Sequence, residues 1–293
     1  MSRHDFRQGA ARPATRRARS PAYSASTVSL PRALSKLGHC SRTEALALIE
    51  AGRVLVDGTP ARSISQRVDM VRSVIAVDGG TVIAQDKVYL MLNKPRGIVT
   101  TRRDPQQRGT VYDCVPEGLP FLSPVGRLDK ASEGLLFLTN DTQWAERLMN
   151  PASGVEKTYH VKIDIVADER FVSALAEPVK DDGERLSAAS VRLLRTSGRS
   201  SWIEIVLTEG RNRQVRRMVA ARGANVLRLV RVGIGGVLLG DLGKGQTRPL
   251  DPVQLARLAK RCRRTDGKGA DDSLRRRSKT RLSLISPPRS FER

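Results

Sequence analysis

Residues 126–141 contain the carboxylate whose surroundings best suit chemistry. They read Gly-Arg-Leu-Asp-Lys-Ala-Ser-Glu-Gly-Leu-Leu-Phe-Leu-Thr-Asn-Asp, a glycine-flanked loop that runs into an apolar strand. Asp129 lies in this loop beside Arg127 and Lys130, and nearby positive charge favours an ionised carboxylate. An ionised aspartate suits a nucleophile or a general base. The alternative is an aspartate that caps a turn, and the residue types alone leave both interpretations open.

Two short predicted helices near the start of the chain carry a second group of candidates. Pro31 suits the first turn of one helix, and Ser41-Arg42-Thr43-Glu44 has the form of a capping box that begins the next. Cations that face outward from these helices would form a phosphate-binding surface. The candidates are Arg32, Lys36, Arg42 and Arg53. Charge spacing alone fits a solvated basic face equally well.

The elements that must position these groups divide the chain into four parts. Residues 1–27 and 261–293 are basic and lack hydrophobic periodicity, so we predict disordered tails. Residues 28–84 predict two helices followed by short strands, with a tight turn at Asp57-Gly58. Residues 85–260 predict a larger α+β domain rich in strands, and one of these strands alternates around Tyr159.

Positive charge dominates the composition. The 293 residues include 52 Lys and Arg against 30 Asp and Glu, a net charge of +22. Both tails are basic, yet roughly half of the excess lies in the predicted folded part, which favours a nucleic-acid partner. No apolar run is long enough to span a bilayer, and no signal-peptide core is visible, so we expect no membrane partner.

Cysteine and histidine are too sparse and too scattered for a metal site or a disulfide framework. The three cysteines are Cys40, Cys114 and Cys262, and the three histidines are His4, His39 and His160. No two cysteines are closely spaced, and the histidines do not cluster, so we predict no metal site and a reducing, cytoplasmic location.

The first predicted module resembles the S4-type, or alpha-L, RNA-binding domain. The similarity rests on an ordered series of matches: Leu30, Leu34, Gly38, Ser41, Arg42, Ala45, Leu48, Ile49, Gly52, Arg53, Val54, Val56 and Gly58. It implies binding of structured RNA through the surface of the two helices. A DNA-type helix-turn-helix is the alternative, and the predicted strands that follow argue against it.

The loop around Asp129 closely resembles the Gly-Arg-Leu-Asp signature of RNA pseudouridine synthases, with Ser132 in place of the usual threonine. Three further segments are similar to that family: Asn-Lys-Pro-Arg-Gly at 93–97, Lys-Thr-Tyr-His-Val at 157–161 and Glu-Gly-Arg-Asn-Arg-Gln-Val-Arg-Arg-Met at 209–218. The resemblance spans roughly residues 28–258. It points to the branch that modifies small- or large-subunit ribosomal RNA and carries an S4-type domain.

This resemblance implies an α+β protein, in which a small S4-type domain precedes a catalytic domain with a mixed, mainly antiparallel sheet. The implied reaction moves uracil from its N1–C1′ bond to a C5–C1′ bond and needs no cofactor. Asp129 would be the catalytic carboxylate, acting on C1′ or on the C2′ proton. Arg216 would pair with it in a closed pocket, because a buried charge needs a partner. Tyr159 would stack on the target base, although core packing is its ordinary role.

The resemblance also implies contacts with ribosomal RNA outside the reacting group. Besides the four cations of the first module, we expect RNA contacts from Lys94, Arg96, Arg127, Arg211, Arg213 and Arg217. We expect the protein to act as a monomer. The main rival is an RNA-binding or ribosome-assembly factor that has kept the fold and lost the activity, and the presence of Asp129, Tyr159 and Arg216 argues against it.

Overall fold

The structure is a computed structural model, and it describes residues 27–261. The predicted disordered tails therefore lie outside the described residues, apart from the single residue at the inner end of each. No helix within the described range is long and apolar enough to cross a membrane.

The first module is built from short elements whose ends follow the sequence signals. Its elements are β1 (Thr27–Ser29), α1 (Leu30–Lys36), α2 (Arg42–Glu50), β2 (Val54–Val56), β3 (Thr59–Pro60), β4 (Arg67–Asp69), β5 (Ile75–Val77) and β6 (Gly80–Thr81). The capping box is confirmed, since the Glu44 backbone N–H donates to Ser41 Oγ at 3.1 Å and Ser41 N–H donates to Glu44 Oε2 at 3.0 Å. Asp57 and Gly58 both have positive φ, as a tight hairpin turn between β2 and β3 requires.

A separate hydrophobic core holds this module together. The two helices pack against each other, and α1 also contacts β1 and β4, which pair as a separate two-stranded sheet. Buried side chains of both helices share one core with the four-stranded sheet, whose order is β3-β2-β5-β6. The fully or nearly fully buried side chains include Leu30, Leu34, Ala45, Val54 and Ile75. The apolar positions that suggested two helices and short strands are therefore the ones that pack inward.

The larger domain follows with many strands and few helices. Its elements are β7 (Tyr89–Lys94), β8 (Ser123–Pro124), β9 (Glu133–Thr139), α3 (Thr142–Met149), β10 (Lys157–Ile163), α4 (Glu169–Ala176), β11 (Val179–Asp181), β12 (Glu184–Leu186), β13 (Ser190–Ser197), β14 (Ser200–Leu207), α5 (Gln214–Ala220), β15 (Val226–Ile234), β16 (Val237–Leu238) and β17 (Thr247–Pro249). Residues 252–261 are also helical.

A nine-stranded sheet forms the framework of this domain. Seven strands follow the order β13-β14-β10-β15-β9-β7-β17, while β16 pairs with β15 and β8 pairs with β9. All of these pairs are antiparallel except β15 with β9, which are parallel. The predicted α+β class with a mixed, mainly antiparallel sheet is confirmed.

Helices cover the sheet on two sides and leave a cleft between them. One core joins α4 and α5 to the faces of β10, β14 and β15, and a second joins α3 and the helix at 252–261 to β7 and β9. The first module sits against the larger domain through two backbone hydrogen bonds, Phe121 N–H to Gly38 O at 3.0 Å and Gln85 N–H to Leu37 O at 3.2 Å. An ion pair between Arg102 and Glu44 adds to this contact.

Candidate active site

The loop that carries Asp129 is held by hydrogen bonds to its backbone on both sides. Thr100 Oγ1 donates to Leu128 O at 2.8 Å and lies 3.3 Å from Leu128 N, so one hydroxyl satisfies both groups of the residue before Asp129. Gly97 N–H donates to Lys130 O at 2.8 Å. The loop then enters β9, in which every residue is buried. Asp129 is thus presented by a fixed turn at the end of a rigid central strand.

Lys94, the last residue of β7, also binds the backbone of the loop that carries Asp129. Its side chain is fully buried, and Nζ donates to three carbonyl oxygens: Ser132 at 2.9 Å, Pro95 at 3.1 Å and Asp129 at 3.2 Å. Burial lowers the pKa of Lys94 from 10.5 to about 8, against the opposing charge of Asp129. The predicted contact of Lys94 with RNA is wrong, because an amine with no exposed surface cannot reach a phosphate.

A cleft of about 540 Å³ opens beside the loop and brings Asp129 and Tyr159 together. Its wall is completed by the turn before α5, residues 209–215, and by Arg231 of β15. Tyr159 is buried at an inward position of β10, as its alternating pattern predicts. A β-bulge interrupts the β10–β15 pairing between Thr158 and Tyr159. Bulges are common beside active sites because they redirect a side chain.

The Asp129 carboxylate faces the cleft without a protein partner. The residue is exposed, and among the residues that the structure describes its carboxylate has no hydrogen bond or ion pair. We predicted a closed pocket and a buried charge, and the structure corrects this: the pocket is open on the side of Asp129. An exposed carboxylate keeps its contact with water and does not require a paired cation.

Arg216 lies close to Asp129 but binds the loop rather than the carboxylate. Its Nη2 donates to Ala131 O at 3.3 Å and its Nη1 to Val226 O at 3.2 Å, while Nε is buried without a partner. Burial lowers the pKa of Arg216, assisted by the positive charge of Arg213 and opposed by Asp129. The predicted Arg216–Asp129 ion pair is therefore absent from this structure, and Arg216 joins α5 to the Asp129 loop through backbone contacts.

Arg231 is a cleft residue to which the sequence assigned no role, although it belongs to a segment, with Leu229 and Ile234, that is also typical of the pseudouridine synthases. Its side chain is 5% exposed, its Nε donates to Leu135 O at 2.7 Å, and its Nη2 is buried without a partner. The residue is paired with Tyr159 on one side and with Gly134 on the other. One signal was available: Arg231 occupies an inward position of a strand whose other inward residues are apolar or glycine.

Most of the remaining predicted RNA contacts are solvent-accessible in the structure. Seven of them are exposed and one, Lys36, is partly exposed. Besides Arg211, whose contacts are given with those of Arg217, the exposed residues are Arg32, Arg42, Arg53, Arg96, Arg127 and Arg213. Two of these have acidic partners, since Arg32 contacts Glu146 and Arg53 contacts Asp78. Arg213 is also the residue before α5 and has a left-handed backbone, with φ of 49°.

Two cations of the 209–218 segment, Arg211 and Arg217, form ion pairs within the protein. Arg217 is only 18% exposed and forms ion pairs with Asp181 and Glu184 of the β11–β12 hairpin. Arg211 is paired with Glu184 at 2.9 Å and Glu209 at 3.1 Å. These pairs join both guanidinium groups to neighbouring carboxylates. Their contact with RNA stays a prediction, and Arg211, with a side chain 40% exposed, is the more accessible of the two.

Comparisons with known proteins agree with this architecture. The family model described as RNA pseudouridylate synthase matches residues 88–221, and the S4 domain model matches residues 28–71. A protein of Aquifex aeolicus described as an uncharacterized RNA pseudouridine synthase is 35% identical over 228 residues, which cover 78% of this chain and 92% of that protein. Ribosomal large subunit pseudouridine synthase B of Shigella flexneri is 36% identical over 262 residues, which cover 85% and 90% of the two chains.

A solved structure shows the same similarity in three dimensions. The crystal structure of a pseudouridylate synthase matches with a TM-score of 0.56 and 30% sequence identity, over 79% of this chain and 99% of that one. The match therefore includes both the first module and the domain that contains the cleft.

Proposed function

Because this chain belongs to the RNA pseudouridine synthase family, whose members isomerise uridine to pseudouridine in RNA, we propose that its substrate is ribosomal RNA and that Asp129 performs the bond-breaking step. The ribosomal target is supported by the similarity to the large-subunit synthase of Shigella flexneri over 90% of that protein. The same similarity leaves the modified position and the ribosomal subunit to experiment.

The observation that carries the role of Asp129 is its unpartnered carboxylate in the cleft. Lys94 and Thr100 fix the backbone on both sides of it, so the loop that presents the carboxylate is held while the carboxylate itself has no cation bound. A charged group that the protein positions but does not pair is available to a substrate. Tyr159 lies in the same cleft, where its ring offers a face on which a flipped uracil stacks.

The proposed reaction is an isomerisation with balanced atoms. The N1–C1′ bond breaks and its electron pair stays on the uracil ring. Asp129 either bonds to C1′ or takes a proton from C2′, and both routes need an ionised carboxylate. After the ring turns, C5 bonds to C1′, and at this point either the Asp129–C1′ bond breaks or Asp129 returns the proton to C2′. C5 then loses its proton and N1 gains one. Because substrate and product are isomers, the chemistry requires no redox partner or energy source.

Target selection would depend on the two basic surfaces. Arg96, Arg127 and Arg213 are exposed around the cleft, and Lys36 and Arg42 lie on the helices of the first module. Phosphate contacts of this kind supply affinity that is lost as salt rises. That affinity offsets the few kcal/mol needed to flip a uridine out of its stack.

We also propose that the two domains have separate roles, one in RNA binding and one in catalysis. Residues 28–84 would act as the S4-type RNA-binding domain and residues 85–260 as the catalytic domain, working as a cytoplasmic monomer. Gel filtration coupled to light scattering tests the oligomeric state, and a particle larger than about 32 kDa in the absence of RNA would contradict a monomer.

The decisive experiment compares Asp129→Asn with the wild-type protein. Tritium release from ribosomal RNA transcripts labelled at uridine C5 reports the reaction, and filter binding on the same RNA reports affinity. We expect release to fall to background while affinity stays within a few-fold, because phosphate contacts dominate binding. Asp241→Asn is the matched control, since Asp241 is exposed and lies outside the cleft.

Two outcomes would overturn the assignment. Substantial tritium release by Asp129→Asn would remove the carboxylate from its role. Loss of binding together with turnover would show that Asp129 maintains the loop instead. The ribosomal target is tested separately by mapping pseudouridines in ribosomal RNA from cells with and without the gene, and an unchanged map in both subunits would exclude it.

A further inference from the structure

We propose that Arg231 is a second catalytic residue, whose guanidinium binds a carbonyl oxygen of the target uracil and stabilises the negative charge that the ring carries after N1–C1′ cleavage. This inference rests on the proposed function, since it assigns a residue to that reaction. It starts from an unusual position, because Arg231 faces inward from the central strand β15 and is 5% exposed.

The hydrogen bonding of Arg231 is incomplete. A guanidinium has five N–H donors, and only Nε has a partner within residues 27–261, the carbonyl of Leu135. Nη2 is buried and has no partner. No carboxylate within the same residues forms an ion pair with Arg231. A buried charge with unmet donors is costly to folding, so its presence in a cleft indicates a ligand that completes it.

The charge balance of the cleft floor supports an anionic or electron-rich ligand. Lys94 is buried nearby, and the charge of Arg231 contributes to lowering its pKa. Glu133 does not offset these two cations, because Arg228 and Lys244 already bind it. Asp129 is the one unpaired carboxylate beside them among the described residues of the cleft. Two buried cations thus lie near a single unpaired carboxylate, and Arg231 is the one of the two that lines the cleft. The site therefore has room for additional negative charge.

Arg231 is placed to contact the edge of a base that stacks on Tyr159. The two residues are cross-strand neighbours on β15 and β10, and such neighbours have Cβ atoms about 5 Å apart. On the other side, the paired residue of β9 is Gly134, so no side chain separates Arg231 from the Asp129 loop. A uracil stacked on Tyr159 would present its edge, with O2 or O4, to the guanidinium.

The chemistry explains why a cation is useful at this point. When the N1–C1′ bond breaks, the electron pair delocalises from N1 onto O2 and O4, and the ring is an anion until C5 bonds to C1′. A charge-assisted hydrogen bond to one oxygen is stronger to that anion than to neutral uracil. Arg231 would therefore bind the transition state better than the ground state, which is the requirement for catalysis.

The test makes two changes, separately and together. A substitution of Arg231 removes the guanidinium, and a thio-substituted uridine replaces one uracil oxygen with sulfur. Arg231→Met keeps the length and apolar packing of the side chain, and single-turnover rates are measured on RNA with uridine, 2-thiouridine or 4-thiouridine at the target. We expect a rate loss of 100-fold or more, with RNA affinity within three-fold of wild type. We also expect the rate penalty of one thio substitution in wild type to vanish in the variant, since the same contact is lost in both.

Controls separate this role from a structural one and from the proposed function. Arg192→Ala removes an exposed arginine from β13 and should leave the rate unchanged. If Arg231→Met fails to fold, Arg231→Gln, which keeps a polar side chain but carries no charge, takes its place in the same thio comparison. An unchanged thio penalty in the folded variant, or a rate within three-fold of wild type, would overturn the proposal. Inactivity of the wild-type protein on every ribosomal RNA would instead reject the proposed function.

Discussion

The buried amine of Lys94 predicts a specific pH dependence of stability. Burial lowers its pKa in the folded protein from 10.5 to about 8. Between these values the unfolded chain holds more protons than the folded one, so the free energy of unfolding rises with pH in this window. The perturbation that isolates this contribution is Lys94→Met, which replaces the amine with an apolar side chain of similar length.

The expected magnitude follows from the two pKa values. At pH 7 the amine is mostly protonated in both states, whereas at pH 9 it is mostly neutral in the folded protein and still charged in the unfolded chain. Wild type should therefore gain about 1.3 kcal/mol of stability relative to Lys94→Met between pH 7 and pH 9. Other titrating groups are present in both proteins and cancel in the comparison.

Urea unfolding followed by tryptophan fluorescence measures this difference. The chain has two tryptophans, Trp144 and Trp202, and both lie in the larger domain, so the signal reports the domain that contains Lys94. Lys87→Met makes the same chemical change at an exposed position and should show no pH-dependent difference from wild type. A difference between wild type and Lys94→Met that stays constant from pH 7 to pH 9 would refute the reasoning.

Three further predictions test other contacts. Gly134→Ala should destabilise the larger domain by about 3 kcal/mol in urea unfolding. The Cβ of the alanine would lie 2.3 Å from Arg231 O. A loss below about 1 kcal/mol would mean that the strands move apart to make room for it. Arg216→Lys should reduce turnover at least ten-fold at nearly constant RNA affinity, since an amine lacks the planar fork that reaches both carbonyls; full activity would contradict a positioning role. Arg42→Ala should reduce the salt dependence of RNA binding by about one phosphate contact, and an unchanged slope in filter binding would exclude Arg42 from the interface.

Local signals in the sequence accounted for much of the fold. The capping box at Ser41 and Glu44 and the turn at Asp57-Gly58 depend on neighbouring residues, and both were predicted. The alternation of β10 placed Tyr159 inward because a strand that is buried on one face repeats every two residues. The order of strands in the nine-stranded sheet depends on distant pairings, so no local pattern reported it.

The site was harder to predict where charge is buried. Lysine is almost never fully buried, so its residue type suggested a surface contact, and only the tertiary structure shows three carbonyls around Lys94. The acidic partners of Arg217 lie more than 30 residues away in the sequence. Asp129 was identified through its motif, but its exposure depends on how the loop meets the cleft. Motifs thus identified the chemical groups. Their burial and their ion-pair partners could be known only from the tertiary structure.

The parallel pairing of β15 with β9 has a consequence for how the enzyme is made. Glu133 pairs with Val230, nearly one hundred residues later, and β15 lies between β10 and β9 in the sheet. The Asp129 side and the Tyr159 side of the cleft are therefore joined only after β15 has been synthesised. Closing so long a loop is slow, and the edges of β9 and β10 remain unpaired until then. A nascent chain that stalls before residue 226 would expose both edges, and such edges template aggregation.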